Sequence, residues 1–309
     1  MIKNVYRYLR NEVRKILNGS KFSINSPLGT FVINTLYGHP LKSYVKSIKL
    51  YDRFIPYLVK HTNSGLIDIG SNIGDTLTFV KSIIDCKVIC VEPDTKFLNL
   101  LNENILVNNF SNVLVYPYPI SSEMKKVIIE KNHYGSTGNI YESIDNLGVT
   151  TKTIKNLAAE LHVDFNDYKT IKIDTDGYDW DCLESLFDYS QQNIAHFDFI
   201  YYEHQTFLNN LGPHDENCIW RENKYTDALS KLRKHGYINY YIFDNFGTFI
   251  LSTNQLEILT ELIKYVRRTM TQNNIQTINF CDVLICKDEN IKLVTKAMRD
   301  YLNNEIRVK

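Results

Sequence analysis

Residues 66–75 read LIDIGSNIGD, an apolar strand that runs directly into a glycine turn and the start of a helix. Gly70 can adopt backbone angles that a side chain forbids, and Gly74 lets the following helix approach its strand closely. Asp68 favours a donor-rich or cationic ligand, because its carboxylate would repel a bare pyrophosphate. Dinucleotide folds require G-x-G-x-x-G, whereas this chain has Asn72 in place of the middle glycine. The stretch therefore predicts a nucleotide-binding turn that is not of the dinucleotide type.

A second apolar strand ends in Glu92 and Pro93, roughly twenty residues after the glycine turn. In a doubly wound sheet, an acidic side chain at this place can accept hydrogen bonds from both hydroxyls of a ribose. The alternative is that Asp68 and Glu92 only cap helices or lie on the surface. The two motifs at this separation favour a cofactor whose ribose binds Glu92.

The rest of the chain alternates between strands and helices, which predicts a parallel α/β sheet. Strands are expected at 66–70, 88–92, 113–116, 170–174, 197–202, 237–243 and 280–285, and helices at about 75–85, 95–108, 154–161, 224–235 and 254–268. An earlier segment predicts a cap made of a helix, a hairpin and a second helix, at 1–17, 22–35 and 41–61. We expect a cap at 1–60 and one large domain at 61–309.

Composition narrows the class of protein. Lys and Arg number 35 and Asp and Glu number 35, so the zero net charge gives no sign of a nucleic-acid partner. The six cysteines lack C-x-x-C spacing, which is typical of reduced thiols. Because neither a signal peptide nor a transmembrane run is predicted, we expect a cytoplasmic protein. The basic amphipathic pattern of residues 1–17 fits peripheral contact with an anionic membrane or a partner, or a helix packed on its own domain.

Acidic side chains collect where the fourth and fifth predicted strands end. The fourth strand runs into Asp174 and Asp176, and the fifth delivers Glu203 and His204. Open α/β sheets bind ligands at the carboxyl ends of their strands. We expect these side chains to meet at one edge of the sheet and to carry the chemistry.

Three motifs together resemble the FkbM family of S-adenosylmethionine-dependent methyltransferases: residues 68–74, the Glu92-Pro93 pair, and residues 172–179, which read KIDTDGYD. The likeness spans residues 60–286. The third motif is the most specific, because the family usually reads K-I-D-x-E-G-x-E; Asp176 and Asp179 replace its glutamates here. The resemblance implies an α/β fold of the Rossmann-like class I methyltransferase type, a seven-stranded mixed sheet with helices on both faces and an antiparallel last strand. It also implies methylation of a hydroxyl, commonly on a sugar.

We assign S-adenosylmethionine binding to the residues around these motifs: Asp68, Gly70, Ser71, Asn72, Gly74, Asp75, Glu92, Pro93 and Asp174. Methyl transfer to a hydroxyl requires alignment and the removal of one proton. His204 is the better base by its ordinary pKa and Asp174 by its place in the motif, with Glu203 beside them. Asp174, Asp176 and Glu203 could instead hold a divalent ion. We favour His204 as the base, with Asp174 orienting the acceptor and without metal.

The substrate-binding candidates are Tyr134, Asp176, Tyr178 and His214. Tyr134 lies in a polar loop at 133–138, and loops of this kind are usually functional, although a disordered insertion is the alternative. Tyrosine rings can stack on a sugar. For His214 a solvated loop is the competing interpretation.

The expected function is O-methylation of a sugar or glycan, such as a surface polysaccharide or a nucleotide sugar. The alternatives are a methyltransferase of another hydroxylated metabolite or lipid, and a non-catalytic scaffold with the same fold. A nicotinamide-dependent dehydrogenase is disfavoured by Asn72, and an amino-methylating nucleic-acid enzyme by the absence of N-P-P or D-P-P after the fourth strand. Homo-oligomerisation is left open.

Overall fold

In the part of the chain that the structure describes, a large mixed β-sheet has helices on both faces, and two smaller sheets of three strands each are also present. The computed structural model describes residues 20–36, 39–129, 140–143, 145, 147–187, 197–208, 215–273, 278–304 and 306–308. The predicted helix at 1–17 and the predicted loop at 133–138 lie outside these residues.

The first described elements are a hairpin and two helices. They are β1 (Ser20–Ser26), β2 (Gly29–Thr35), α1 (Leu41–Ser47) and α2 (Phe54–Thr62). The hairpin was predicted, whereas residues 41–61 were expected to form one helix. Pro56 explains the break, because inside a continuous helix it would lack an N–H group and clash with the preceding turn, but it is tolerated in the first turn of α2. Asp52 precedes α2 with a left-handed φ of 50°.

The core begins with three strands that alternate with two helices: β3 (Gly65–Ile69), α3 (Asp75–Ile83), β4 (Val88–Val91), α4 (Thr95–Val107) and β5 (Val113–Tyr116). An irregular segment follows and contains β6 (Lys126–Ile129), β7 (Ile140–Glu142), β8 (Val149–Thr150) and α5 (Ile154–Leu161). The pattern of residues 126–130 predicts a hairpin, whereas β6 pairs with both β7 and β8, so the segment is a three-stranded antiparallel sheet. The short helix at 154–161 is confirmed.

The second half contains β9 (Tyr168–Ile173), α6 (Asp179–Ser185), β10 (Phe199–His204), α7 (Cys218–Lys234), β11 (Asn239–Asp244), β12 (Phe249–Thr253), α8 (Leu256–Asn273), β13 (Cys281–Cys286), α9 (Ile291–Leu302) and β14 (Arg307–Val308). Strands β9 to β13 complete the large sheet, whereas β14 pairs with β1. Helix α7 begins at Cys218 rather than near residue 224, as the sequence predicted. Strand β12 was not predicted.

The strand order of the large sheet is β12-β11-β13-β10-β9-β3-β4-β5. Strands β5, β4, β3, β9 and β10 are parallel neighbours, and β13 runs antiparallel to both β10 and β11. Seven strands therefore have the predicted mixed arrangement, with the last strand antiparallel, and β12 adds an eighth at the edge. This topology confirms the predicted Rossmann-like class I methyltransferase fold.

Both faces of the sheet are covered by apolar clusters, which is why its strands are nearly continuous hydrophobic runs. Helices α5 to α8 contribute to one cluster and α2, α3, α4 and α9 to the other. The N-terminal segment is tied to the end of the chain, because β14 pairs with β1 and the Tyr57 hydroxyl donates to Asn304 Oδ1 at 2.9 Å. The division at residue 60 stays a prediction.

The six cysteines are free thiols, five of them buried, as predicted for core residues. Within the described residues, none of the helices is both long and apolar enough to cross a lipid bilayer.

Candidate cofactor and acceptor site

The turn after β3 packs directly against the turn after β9. Gly70 has a φ of 85°, and a Cβ atom at this position would overlap the backbone carbonyl oxygen of Asp174. The Asp174 N–H donates to the carbonyl of Ile69 at 2.9 Å. Only glycine fits here, because the backbone angle and the close approach both exclude a side chain.

Ser71 and Gly74 shape the rest of this turn. The Ser71 hydroxyl donates to the Asp68 carbonyl at 2.6 Å and accepts from the Val91 N–H at 3.0 Å, so it joins β3 to β4. A Cβ atom at Gly74 would lie 2.7 Å from a methyl carbon of Leu101, so glycine permits the close packing of α3 on α4. These two residues stabilise the conformation of the turn. Their predicted role in cofactor binding is to maintain that conformation.

Glu92 is buried at the end of β4, with 1% of its surface exposed. Its two carboxyl oxygens accept from the backbone N–H groups of Asn72 and Asp94, both at 2.8 Å. Burial raises the pKa of Glu92 to about 8, against these two donors, which lower it. Next to it lies a narrow apolar pocket, lined by Ile69, Gly70, Val91, Glu92, Pro93, Asp94, Pro119, Ile120, Ile129, Ile140 and Thr175.

A larger polar cavity of about 360 Å³ opens on the other side of Gly70. Its walls include Gly70, Asn72 and Asp75 from the first turn and Lys172, Asp174, Asp176 and Glu203 from β9, the turn after it and β10. Gly70 lines both spaces. One elongated ligand lying across this glycine could therefore place an apolar ring in the narrow pocket and a polar end in the main cavity.

Lys172 is the cation of this site. Its ammonium lies 2.7 Å from Asp174 Oδ2 and 3.8 Å from Asp68 Oδ1, and only 4% of the lysine side chain is exposed. Asp174 is 36% exposed and faces the cavity, whereas Asp68 is fully buried. The lysine thus fixes the orientation of the Asp174 carboxylate.

Three acids near Lys172 hold their protons more tightly than usual. Burial raises the pKa of Asp52 to about 7 and those of Asp68 and Asp75 to about 6, from an ordinary 3.8, although Lys172 opposes each shift. The folded state consequently binds protons that the unfolded chain releases, and this contribution destabilises the fold as the pH rises through that window.

Replacing Asp68 by asparagine should therefore raise the free energy of unfolding relative to wild type, by roughly 1 to 3 kcal/mol at pH 7. The difference should shrink as the pH falls toward 4, because the folded carboxyl then keeps its proton and the unfolded carboxyl, with an ordinary pKa of 3.8, begins to bind one as well. Urea unfolding across pH 4 to 7 measures it, with the exposed Asp227→Asn as the control. A difference between wild type and Asp68→Asn that grows on acidification would contradict this assignment.

Asp179, which was not among the predicted site residues, stabilises the turn after β9. Its carboxylate accepts from the Thr175 N–H and Gly177 N–H, both at 3.2 Å, and from the Thr175 hydroxyl at 3.0 Å. Within that turn Asp176 has a left-handed φ of 53° and lines the main cavity. The predicted substrate role of Asp176 is thus compatible with its position.

Glu203 and His204 point to opposite faces of β10, as neighbours on a strand do. Glu203 lines the main cavity, whereas the His204 ring stacks on Tyr225 with 4.1 Å between centroids. The His204 Nδ1 lies 3.0 Å from the Tyr202 hydroxyl. Burial lowers the pKa of His204 to about 3, which makes the imidazole a weak base. This geometry does not support His204 as the general base and favours Asp174.

Of the three remaining substrate candidates, the structure describes only Tyr178. The Tyr178 ring lies 5.9 Å from Trp180 and 5.7 Å from the Lys125 ammonium, and Tyr178 is not among the residues that line the main cavity. Tyr134 and His214 lie outside the described residues, so their roles stay predictions.

The other walls of the main cavity come from segments for which no site role was predicted, and they include His39, Tyr44, Tyr51, Asp52, Asn245, Asn279, Phe280 and Asp282. The sequence could have indicated Phe280 and Asp282 as site residues. Because β13 is antiparallel, its first residues lie at the edge where the parallel strands end. Asp52 carries no such signal, since its place depends on how the N-terminal segment packs.

A family model described as "Methyltransferase FkbM domain" matches residues 68–238, more than half of the 309 residues. The chain belongs to the FkbM methyltransferase family. By family and fold it is an S-adenosylmethionine-dependent methyltransferase, which confirms the resemblance and the cofactor that the motifs predicted. The FkbM domain match includes Glu92, Asp174 and Glu203, whereas Asp52 and Asp282 lie outside it.

Three solved methyltransferase structures are similar to this FkbM chain. The plantazolicin methyltransferase BamL, in complex with a triazolic desmethylPZN analog and SAH, is 12% identical, with a TM-score of 0.42 and coverage of 80% of this chain and 86% of that one. BpumL, in complex with SAH, is 14% identical, with a TM-score of 0.38 and coverage of 78% and 84%. The precorrin-6y C5,15-methyltransferase of Geobacter metallireducens is 11% identical, with a TM-score of 0.34 and coverage of 76% and 86%. A search of curated proteins gave no match.

Proposed function

We propose that this protein is an O-methyltransferase that moves a methyl group from S-adenosylmethionine to a hydroxyl of a sugar or glycan. The main support for this proposal is the Asp174 carboxylate. It is partly exposed, faces the main cavity and lies 2.7 Å from the Lys172 ammonium. Around it the walls combine polar groups with the aromatic rings of Tyr44, Tyr51 and Phe280. Rings and hydrogen-bonding groups together suit a hydroxylated sugar ring.

The residues present fit the cofactor. Glu92 offers carboxylate oxygens beside an apolar pocket, a combination that suits a ribose and its base. The polar end of the cofactor would lie past Gly70, near Asn72 and Asp75. When bound, S-adenosylmethionine supplies an electrophilic methyl group.

The work of the protein is alignment, exclusion of water and removal of one proton. Asp174 is placed to accept the proton of the acceptor hydroxyl, and Lys172 keeps its carboxylate turned to the cavity. A sugar hydroxyl is a very weak acid, so the base acts while the new bond forms. Holding the two reactants in line contributes further to the rate.

Glu92→Ala is expected to weaken cofactor binding roughly ten- to hundredfold, because it removes the carboxyl group that would hydrogen-bond the ribose hydroxyls. Calorimetric titration with S-adenosylhomocysteine measures this effect. Since Glu92 also accepts from the N–H groups of Asn72 and Asp94, circular dichroism must show that the variant folds. Unchanged affinity in a folded variant would place the ribose elsewhere.

The acceptor is tested by transfer of a labelled methyl group to a panel of nucleotide sugars and glycans, followed by mass spectrometry of the product. A methyl ether on a sugar hydroxyl is the expected product. Label found on nitrogen or carbon with every active acceptor would overturn the proposed hydroxyl target.

A further inference from the structure

The main cavity is lined by many more acidic than basic side chains. Six carboxyl groups line it: Asp52, Asp75, Asp174, Asp176, Glu203 and Asp282. Lys172 is the one lysine or arginine among its described lining residues, and its ammonium already contacts Asp174 and Asp68. Burial lowers the pKa of His39 to about 4, so that side chain adds no charge at neutral pH. This balance favours a cationic ligand.

Two of these acids stand directly opposite each other on neighbouring strands. Glu203 of β10 and Asp282 of β13 are partners in the antiparallel register. Partner side chains lie on the same face with their Cβ atoms about 5 Å apart, where two like charges repel. Burial and the carboxylates around them raise the pKa of both groups well above its ordinary value. A positive group between the two acids would relieve the repulsion.

Glu203 gives an independent indication of a ligand. Only 4% of this residue is exposed, and its Oε2 atom has no hydrogen-bond partner in the part of the chain that the structure describes. A buried carboxylate oxygen without a donor is costly, and Glu203 lines the cavity, where a ligand could supply that donor.

The position of the pair separates it from the cofactor turn. The sheet order β3-β9-β10-β13 places the glycine turn, Asp174, Glu203 and Asp282 on successive strands. With about 4.8 Å between strands, Glu203 and Asp282 lie about 5 and 10 Å beyond Asp174, on the side away from Gly70. These distances match the separation of a hydroxyl from an amino group on the same or the adjoining sugar ring.

We propose that Glu203 and Asp282 bind an ammonium group of the acceptor, so that the substrate is an amino sugar or a glycan containing one. The inference rests on the proposed function, since it concerns the acceptor of that reaction. A metal ion fits less well, because no three histidine, cysteine, aspartate or glutamate side chains within the described residues converge to hold one. Tyr44 and Tyr51 line the same cavity and could contact the ring that bears the ammonium.

The test compares D-glucosamine with D-glucose, which differ by an ammonium group in place of one hydroxyl. Each sugar is titrated calorimetrically into the full chain with S-adenosylhomocysteine present, at low salt. Glucosamine should bind on the order of ten- to hundredfold more tightly. Asp282→Asn and Glu203→Gln should each reduce this preference strongly, whereas Asp227→Asn, an exposed acid on α7, should leave it unchanged.

Equal affinity for the two sugars, no detectable binding of glucosamine, or a preference that survives in both cavity variants would overturn the inference. Binding of Mg²⁺ or Mn²⁺ alone that Asp282→Asn abolishes would identify a metal site and overturn it as well. Because the titration measures binding only, it can fail while methyl transfer to a neutral sugar succeeds. A preference for glucosamine with label on nitrogen would support the ammonium site and overturn the hydroxyl target.

Discussion

Replacing Asp174 by asparagine should lower turnover about a hundred- to ten-thousandfold, far more than it weakens cofactor binding, since general-base catalysis contributes that much. The asparagine keeps the shape of the side chain but cannot take the hydroxyl proton. Among the described residues around the cavity, Asp174 combines exposure to the acceptor space with a fixed orientation, because Lys172 lies 2.7 Å from its carboxylate. Initial rates with the best acceptor of the panel, together with calorimetric titration of S-adenosylhomocysteine, separate the two effects.

His204→Ala is the matched control. The imidazole lies on the opposite face of β10, stacked on Tyr225, so this variant should keep most of its turnover if it folds. Because burial already lowers the pKa of His204 to about 3, the wild-type pH profile should show no rise near pH 6.5 that depends on this residue. Full turnover in Asp174→Asn, with loss of turnover in a folded His204→Ala, would reverse the assignment and restore the base that the sequence favoured.

The parts of the site that could be predicted are those set by local backbone chemistry. Gly70 and Gly74 mark a turn after a buried strand, and Glu92 follows one strand later, so spacing alone places them at one edge of the sheet. The same rule located Asp174 and Glu203, because parallel strands end together. The mixed sheet with an antiparallel last strand followed from the resemblance, and the structure confirms it.

The sequence did not reveal that His204 points away from the main cavity, and this has a physical cause. A strand that is polar on one face shows an alternating pattern, and that pattern tells which residues point to the ligand. Strand β10 is buried on both faces, with residues 199–204 all inaccessible, so its sequence carries no such pattern. Ordinary pKa then favoured His204 over Asp174, although Asp174 and Glu203 line the cavity and His204 does not.

The far walls were missed because they depend on distant parts of the chain. Asp52 lies between two helices and itself has a left-handed φ. Pro56 predicts a break in the helix near this point, but it does not predict where Asp52 lies relative to the cavity. Strand β12 was overlooked because residues 249–253 are only partly buried at the sheet edge. The residues that would contact the acceptor are therefore determined by how the N-terminal segment and the last strands pack, and not by local sequence patterns.

Gly70→Ala should abolish cofactor binding, with a loss of about a hundredfold or more, because the added methyl group would overlap the Asp174 carbonyl and push the two turns apart. A displacement of this kind moves both the cofactor turn and the Asp174 carboxylate that we assign to catalysis. Titration with S-adenosylhomocysteine measures the affinity, and thermal unfolding reports whether the fold survives.

Gly236→Ala separates this overlap from simple backbone strain. Gly236 has nearly the same φ, 87° against 85°, but a Cβ atom there would meet only the Lys287 side chain, at 3.9 Å. Both variants should lose roughly 1 to 2 kcal/mol of stability from the left-handed backbone alone. Gly70→Ala should lose more, and only it should lose the cofactor. Wild-type affinity in a folded Gly70→Ala protein would show that the contact between the two turns is not what shapes the cofactor site.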